Sequence, residues 1–246
     1  PFVGGGAVFF KLADSAWITR ARLADRNQEL VSAYLAVRDH VDDVLTELAA
    51  HKNEEAHFYE VRAIDPRTLK PAAAAARTLY LNRVGFNGLY RVNSKGLFNV
   101  PFGRYASPKI VDEPRLRAAS RALQIAEIVC EDFDKTCADV TAGDVVYFDP
   151  PYVPLTKTAN FTAYAKQAFG DVEQARLAKT FADVVEAGAF ALLSNSDTPR
   201  TRELYRGWDV RTVSATRRIN SKASERGEIN EILVRGVRRG QKAPTS

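Results

Sequence analysis

The chain of 246 residues contains no methionine, two cysteines and three histidines. Cys130 and Cys137 are too few for a disulfide scaffold and read as buried small hydrophobes of a reducing compartment. No quartet of Cys and His has metal-ligand spacing, which argues against a structural zinc site. His40, His51 and His57 sit in a polar, helical-looking stretch and read as surface groups. No apolar run approaches the ~20 residues needed to span a bilayer, so a membrane helix is excluded. There is no internal repeat. The chain starts at Pro1 without a charged-then-apolar leader, and the missing Met leads us to expect residues ahead of Pro1.

What is present is ordinary for a globular protein: 46% hydrophobic and 26% charged residues, 14 Gly and 11 Pro. The length suits one large domain, or one domain with a sizeable insert. A net charge of +5 permits a polyanionic partner without proving one.

Along the chain, Pro1–Phe10 reads as a glycine turn with apolar flanks, and Ala16–Ala24 as a strand ending at Asp25. A helix from Asn27 is predicted by Leu30, Tyr34, Val37, Val41, Val44 and Leu48 at steps of three and four. A glycine turn, a strand, an acidic residue and a helix in that order form an α/β nucleotide-binding pattern. From about His51 to Asp112 prolines punctuate the chain. A helix runs from Ala72 through Leu81, and Gly85–Tyr105 holds four glycines and five aromatics with a hairpin signal at Ser94-Lys95-Gly96. This segment reads as an insert. The α/β rhythm then resumes: a helix at Leu116–Ala126, a strand at Ile128–Phe133, the buried parallel-type run Val145–Phe148, a helix around Leu177–Val185 and a strand at Ala189–Ser194. Asp209–Ile219 and Glu228–Val237 read as a closing antiparallel pair, and the tail from Arg238 as frayed.

Asp149-Pro150-Pro151-Tyr152 follows directly on Val145–Phe148. In open α/β sheets, ligands bind beyond the carboxyl ends of the strands, which places this tetrapeptide in a site. Two prolines stiffen the backbone and remove two N–H donors, leaving carbonyls as acceptors. With the Asp149 carboxylate as a further acceptor and Tyr152 as an aromatic face, the group suits a planar ligand that carries an amino group. A Pro-Pro turn with a solvated, capping Asp is the plainer reading of the same residues.

The tetrapeptide resembles the catalytic motif of the amino-group DNA methyltransferases, specifically the Dam-type N6-adenine enzymes, and Pro1–Phe10 resembles their S-adenosylmethionine (SAM) loop. The likeness continues in Leu81–Arg91, Phe98–Tyr105, Thr158–Tyr164 and Leu193–Thr198, in the family's order across nearly the whole chain. It implies an α/β fold: a Rossmann-like SAM-dependent methyltransferase sheet with a mainly helical target-recognition insert that carries a β-hairpin. Residues 1–53 and 113–246 would form the methyltransferase domain and 54–112 the insert.

The resemblance also implies roles. Phe2, Gly4 and Gly6 would line the SAM pocket, and Asp25 would accept from the ribose hydroxyls; a helix N-cap is the plainer reading of Asp25. Asp132 and Phe133 would hold the cofactor's adenine by hydrogen bonding and stacking; a strand-end acid and a core phenylalanine are the alternative. Asp149 would face both the cofactor and the target. Asp149 and the Pro150 carbonyl would polarise the amino group of a flipped adenine, and Tyr152 would stack on it. No cysteine nucleophile is required.

In the insert, Arg91, Asn93, Pro101, Arg104 and Tyr105 lie where the family's hairpin enters the major groove, and an Arg there can read guanine. Leu89 and Pro101 could touch a thymine methyl. Phe86, beside Asn87, stands where family members carry an aromatic wedge, and Arg83, Lys95 and Arg104 could hold phosphates. Solvated hairpin charges are the bland reading. Arg217, Arg218, Lys222 and Arg226 form a further basic cluster, either a solvated turn or a phosphate contact.

The resemblance implies GATC in double-stranded DNA as target, SAM as cofactor, no metal, and a monomer on cytoplasmic, nucleoid DNA. Two departures stand out. The segment with a Trp-x-Gly-Gly-Lys type motif that precedes the family's cofactor loop does not appear, and Arg26 replaces the apolar residue that more often follows Asp25. An RNA or protein methyltransferase with the same tetrapeptide, or a DNA-binding relative with impaired catalysis, is the rival expectation.

Overall fold

The computed structural model describes residues 1–93, 96–153, 169–216 and 228–238. The chain divides into two compact units, one of Val3–Cys130, the other of Pro1–Phe2 with Glu131–Ser246.

The first unit opens with helix α1 (Ala7–Asp14) where the sequence suggested only a turn with apolar flanks. The turn exists at Gly4–Gly5, but Ala, Leu and Lys are strong helix formers and the second flank winds up behind it. Strand β1 (Ala21–Asp25) is shorter than the predicted Ala16–Ala24 because α1 ends in an αL residue, Ala16, and an exposed Trp17. The helix expected over 27–48 is two helices, α2 (Gln28–Asp39) and α3 (Val41–Ala49), broken at His40, whose φ is −140° and ψ 42°. Helices α4 (Glu55–Ala63), α5 (Pro71–Val84) and α6 (Glu113–Leu123) follow, then strand β2 (Ala126–Cys130), parallel to β1 with Ala21 opposite Ala126. Pro71 starts α5 at its first turn, where a missing N–H costs nothing, and an alanine run carries it on. One core lies between α2, β1, β2 and α6 (Leu23, Val31, Val37, Leu123, Ile128). A second joins Leu48 of α3 and Phe58 of α4 to Tyr80, Leu81 and Val84 of α5 and to Phe98 and Val100.

In the second unit, the short helix α7 (Phe133–Thr136) precedes β3 (Val145–Phe148). Then come α8 (Asp171–Glu186), β4 (Phe190–Ser196), α9 (Pro199–Leu204), β5 (Asp209–Thr216) and β6 (Glu228–Gly236). These strands form one sheet in the order β3-β4-β6-β5. β3 and β4 are parallel, with Phe148 opposite Leu193, and the predicted closing pair β5–β6 is antiparallel. Phe148, Leu177, Phe181, Leu193, Tyr205 and Val234 fill the core. Gly236 is needed there, because a Cβ would stand 2.7 Å from the Phe181 ring.

The cysteines depart from the expectation. Cys130, the last residue of β2, is exposed and Cys137 is half-buried. The histidines split: His40 is exposed, but His51 stacks on Tyr80 at 4.4 Å between ring centroids. Burial, with His57 beside it, pushes the His51 imidazole down to about 4.

Candidate active site

The second unit builds its site where the parallel pair β3–β4 ends. Val146 and Phe148 are buried, so the strand is fixed by its apolar face and delivers Asp149 to the surface, exposed. Asp149 Oδ1 accepts from the Ser194 hydroxyl at 2.7 Å, and that hydroxyl also meets the Tyr147 hydroxyl at 3.1 Å. The Tyr152 hydroxyl donates to Glu231 Oε2 on β6 at 3.3 Å. Burial is the main cause that pushes the Tyr147 and Tyr152 phenols up; Asp149 and Glu231 add to it, so both rings stay neutral donors. The Pro151 carbonyl accepts from Gln174 Nε2 at 3.0 Å, whereas the Pro150 carbonyl has no hydrogen-bond partner among the described residues. Asn195 Oδ1 accepts the Val153 N–H at 3.1 Å. The loop thus brings together an exposed carboxylate, the carbonyl of the buried Pro150 and a half-buried, neutral phenol ring: acceptors and an aromatic face of the kind a planar amino-bearing ligand needs.

Asp132 and Phe133 open α7, where Asp132 Oδ1 accepts the Phe133 N–H at 2.7 Å. Arg176 of α8 donates Nη2 to both Asp132 oxygens at 3.0 and 2.9 Å, and Nη1 to Asp134 at 2.9 Å. The Phe133 ring is only 2% exposed. Phe2 stacks on it at 5.3 Å, and the Arg176 guanidinium lies 4.3 Å from its centroid. The side chain therefore packs as a core phenylalanine, and a ligand ring could stack on it only by displacing a neighbour.

In the first unit, the glycine loop folds onto the end of β1. Gly4 N donates to Asp25 Oδ2 at 3.3 Å, Asn27 N to Asp25 Oδ1 at 2.9 Å, and the Tyr34 hydroxyl to the Gly4 carbonyl at 2.9 Å. The helix cap is Asn27, not Asp25: its side chain accepts from Glu29 N and Leu30 N. Each Asp25 oxygen accepts one N–H and keeps a lone pair for a further donor, the capacity a vicinal diol requires. Gly6 has φ 67°, and a Cβ there would meet the Tyr34 hydroxyl at 2.8 Å, so only glycine lets the loop lie this close.

The segment 85–105, also in the first unit, is pinned by antiparallel bridges Val92↔Phe98 and Gly85↔Phe102. Phe98 and Val100 face the core, while Arg83, Phe86, Asn87, Arg91, Asn93, Pro101, Arg104 and Tyr105 are exposed and Leu89 is half-buried. Several are held: Arg91 Nε donates to Asn99 Oδ1 at 2.8 Å, Arg83 Nε to the Lys109 carbonyl at 2.8 Å, and the Asn87 N–H to the Tyr105 hydroxyl at 2.8 Å. Asn93 Oδ1 accepts the Leu97 N–H at 3.1 Å. Arg104 has φ 53° and lies 3.7 Å from Glu55. Beneath, the Glu29 carboxylate accepts from Tyr90, Thr78 and Arg77 at 3.1, 2.7 and 2.9 Å.

The predicted block Thr158–Tyr164, Lys95, and the cluster Arg217, Arg218, Lys222 and Arg226 lie outside the described residues. Gln174, Arg176, Tyr147 and Glu231 were not singled out by the sequence. Gln174 could have been: it stands on the stripe of Leu177, Phe181 and Val184, and a polar residue on an apolar stripe calls for a partner. No helix among the described residues is long and apolar enough to cross a membrane, and no group of three or more potential metal ligands occurs among them.

A strand-end site of hydrogen-bond acceptors beside an aromatic ring has the chemistry to grip a planar ligand that bears an amino group. The chain belongs to the D12 class N6 adenine-specific DNA methyltransferases, whose family model matches residues 1–219. It is 40% identical over 242 residues to the Type II methyltransferase M1.LlaDCHI of Lactococcus lactis subsp. cremoris, covering 95% of this chain and 84% of the relative. It is 39% identical over 248 residues to the Type II methyltransferase M.MjaIII of Methanocaldococcus jannaschii, covering 95% and 86%. Against the DNA adenine methylase of Escherichia coli K12 it is 39% identical over 238 residues, covering 95% and 84%.

Proposed function

We propose that this adenine-specific DNA methyltransferase uses SAM and methylates N6 of an adenine flipped out of duplex DNA, within GATC. The observation that carries the reading is the pair of acceptors at the end of β3: the exposed Asp149 carboxylate, oriented by Ser194 at 2.7 Å, beside the Pro150 carbonyl, which has no hydrogen-bond partner among the described residues. An amino nitrogen conjugated to a purine is a poor nucleophile because its lone pair is delocalised into the ring. Two acceptors gripping its N–H bonds favour a tetrahedral nitrogen, free the lone pair, and stabilise the positive charge that grows on it. Tyr152, neutral and held by Glu231, offers its ring for stacking, which offsets part of the few kcal/mol that extrusion of the base costs. When bound, SAM supplies a methyl group on a positive sulfonium.

In the first unit, Gly4, Gly6 and Asp25 are the residues we assign to that cofactor; the spare lone pairs of Asp25 and the side-chain-free approach at Gly6 fit a ribose and a close-lying chain. In the second unit we assign Phe2, Asp132, Phe133 and Asp149 to it, with Phe2 moving to open the Phe133 ring. Residues 54–112 are assigned to target recognition. Within them Arg91 reads guanine, Leu89 and Pro101 touch thymine methyls and Phe86 wedges into the stack. Arg83 and Arg104 hold phosphates, and Asn87, Asn93 and Tyr105 shape the segment. The parallel pairs β1–β2 and β3–β4, each in its own sheet and with strands interleaved with helices along the chain, support the Rossmann-like reading.

Transfer of labelled methyl from SAM to duplexes with and without GATC tests this. Incorporation confined to GATC is expected; equal incorporation into both overturns the specificity, and none into either overturns the reaction. Asp149→Ala is expected to lower turnover at least about 100-fold while duplex affinity stays within about twofold.

A further inference from the structure

The Asp-Pro-Pro-Tyr loop lacks the means to hold itself. Pro150 and Pro151 have no N–H, so the middle of the tetrapeptide donates nothing to a neighbouring strand or turn. The holding is done from outside, by two amide side chains that the core has swallowed. Gln174 on α8 is 2% exposed and Asn195 on β4 is 0% exposed. Gln174 Nε2 donates to the Pro151 carbonyl at 3.0 Å. Asn195 Oδ1 accepts the Val153 N–H at 3.1 Å and the Ser196 N–H at 2.9 Å. The two amides are joined, Asn195 Nδ2 donating to Gln174 Oε1 at 3.1 Å.

This network fixes its own polarity. Turning the Gln174 amide over would set its oxygen against the Pro151 carbonyl and its NH2 against that of Asn195. Nor is it an ordinary core contact, because apolar side chains would fill the same space without desolvating two amides. What the amides do is pin the backbone one residue before Tyr152 and one residue after it. Neither is bonded to the Asp149 carboxylate or the Tyr152 ring.

We infer that Gln174 and Asn195 are positioning residues for methyl transfer: a buried two-amide clamp that sets the Tyr152 ring and the Pro150 carbonyl relative to Asp149. The inference rests on the function proposed above. Its consequence is a split in kinetics. Loss of the clamp removes no side chain that meets substrate but lets the loop that carries Tyr152 wander, and misplacement by about 1 Å costs up to ~100-fold in rate.

The test uses the full chain with Gln174→Leu, which removes the donor, and Gln174→Glu, which keeps the shape but turns an acceptor toward the Pro151 carbonyl. Amide exchange at Val153 reads the clamp without any reaction; turnover and the SAM and duplex affinities read its role. We expect Val153 protection to fall at least about 10-fold and kcat about 10- to 100-fold, with KM for SAM and Kd for duplex within about twofold. Near-wild-type kcat, unchanged Val153 protection, or a loss carried by KM or Kd alone overturns the inference. If Gln174→Leu does not fold, Gln174→Glu carries the test by itself. Should the wild-type chain methylate no adenine duplex, the functional reading is what fails, and Val153 exchange still decides the clamp.

Discussion

Arg77 shows how much a single side chain can hide from a sequence. It follows an alanine run on α5, in a position that reads as an ordinary helical charge, yet it is 2% exposed. Its guanidinium donates to Glu29 Oε1 at 2.9 Å and to the carbonyls of Val61 and Arg62 at 3.0 Å each. Burial pushes its pKa down and Glu29 pulls it back, but a guanidinium stays charged in either case. Removing one partner of a buried pair strands the other, which costs about 3–5 kcal/mol. Arg77→Met is therefore expected to lower Tm by roughly 6–20 °C by calorimetry, with part of the loss regained when Glu29→Gln is added. A drop below about 2 °C would mean the pair contributes little. Asp149 was legible from sequence because a strand end is a local feature. Arg77 and Asn195 were not, because their partners lie up to 48 and 42 residues away in the chain and meet only through the fold; Gln174 left a trace, a polar residue on an apolar stripe, but its partner 23 residues away did not.

At the scale of elements, periodicity located α6, α8 and the stretch of α2 and α3, an alanine run located α5, and apolar runs located β3 and β4. Periodicity failed where one residue redirects the chain. The apolar steps from Leu30 to Leu48 run on across His40 because periodicity records faces, and no Gly or Pro marks the break. The end of α1 is a similar case. The Trp17 N–H bonds the Leu12 carbonyl at 3.0 Å and the Ala16 N–H the Ala13 carbonyl at 3.1 Å, a Schellman closure with alanine in the left-handed place. Ala16 holds φ 53°, where an L side chain costs roughly 1 kcal/mol relative to glycine. The added freedom of the unfolded chain offsets about 0.4–1 kcal/mol of that relief, so Ala16→Gly is expected to raise Tm by no more than about 2 °C. A fall in Tm would show that this closure does not govern the stability of the helix end.

Over the whole molecule, an excess of five positive charges suits a polyanionic partner. Duplex affinity is expected to fall as salt rises, each phosphate neutralised contributing about −0.9 to the slope of log affinity against log salt. Arg104, 79% exposed in its side chain and paired only loosely with Glu55, should account for one of these. Arg104→Gln is expected to flatten the slope by about one and to weaken GATC and unrelated duplexes alike, read by fluorescence anisotropy. A loss confined to GATC would instead make Arg104 a base reader. The tie between Tyr90 and Glu29 has its own consequence for such changes. The segment is fastened from below by that phenol, by the buried Phe98 and Val100, and by Arg62 and Asn53 donating to the Val100 and Tyr105 carbonyls, while Phe86, Pro101 and Arg104 are exposed. Under the proposed assignments, a laboratory library confined to the exposed base-facing residues Arg91 and Pro101 is expected to yield folded, retargeted variants so long as Tyr90 is left alone.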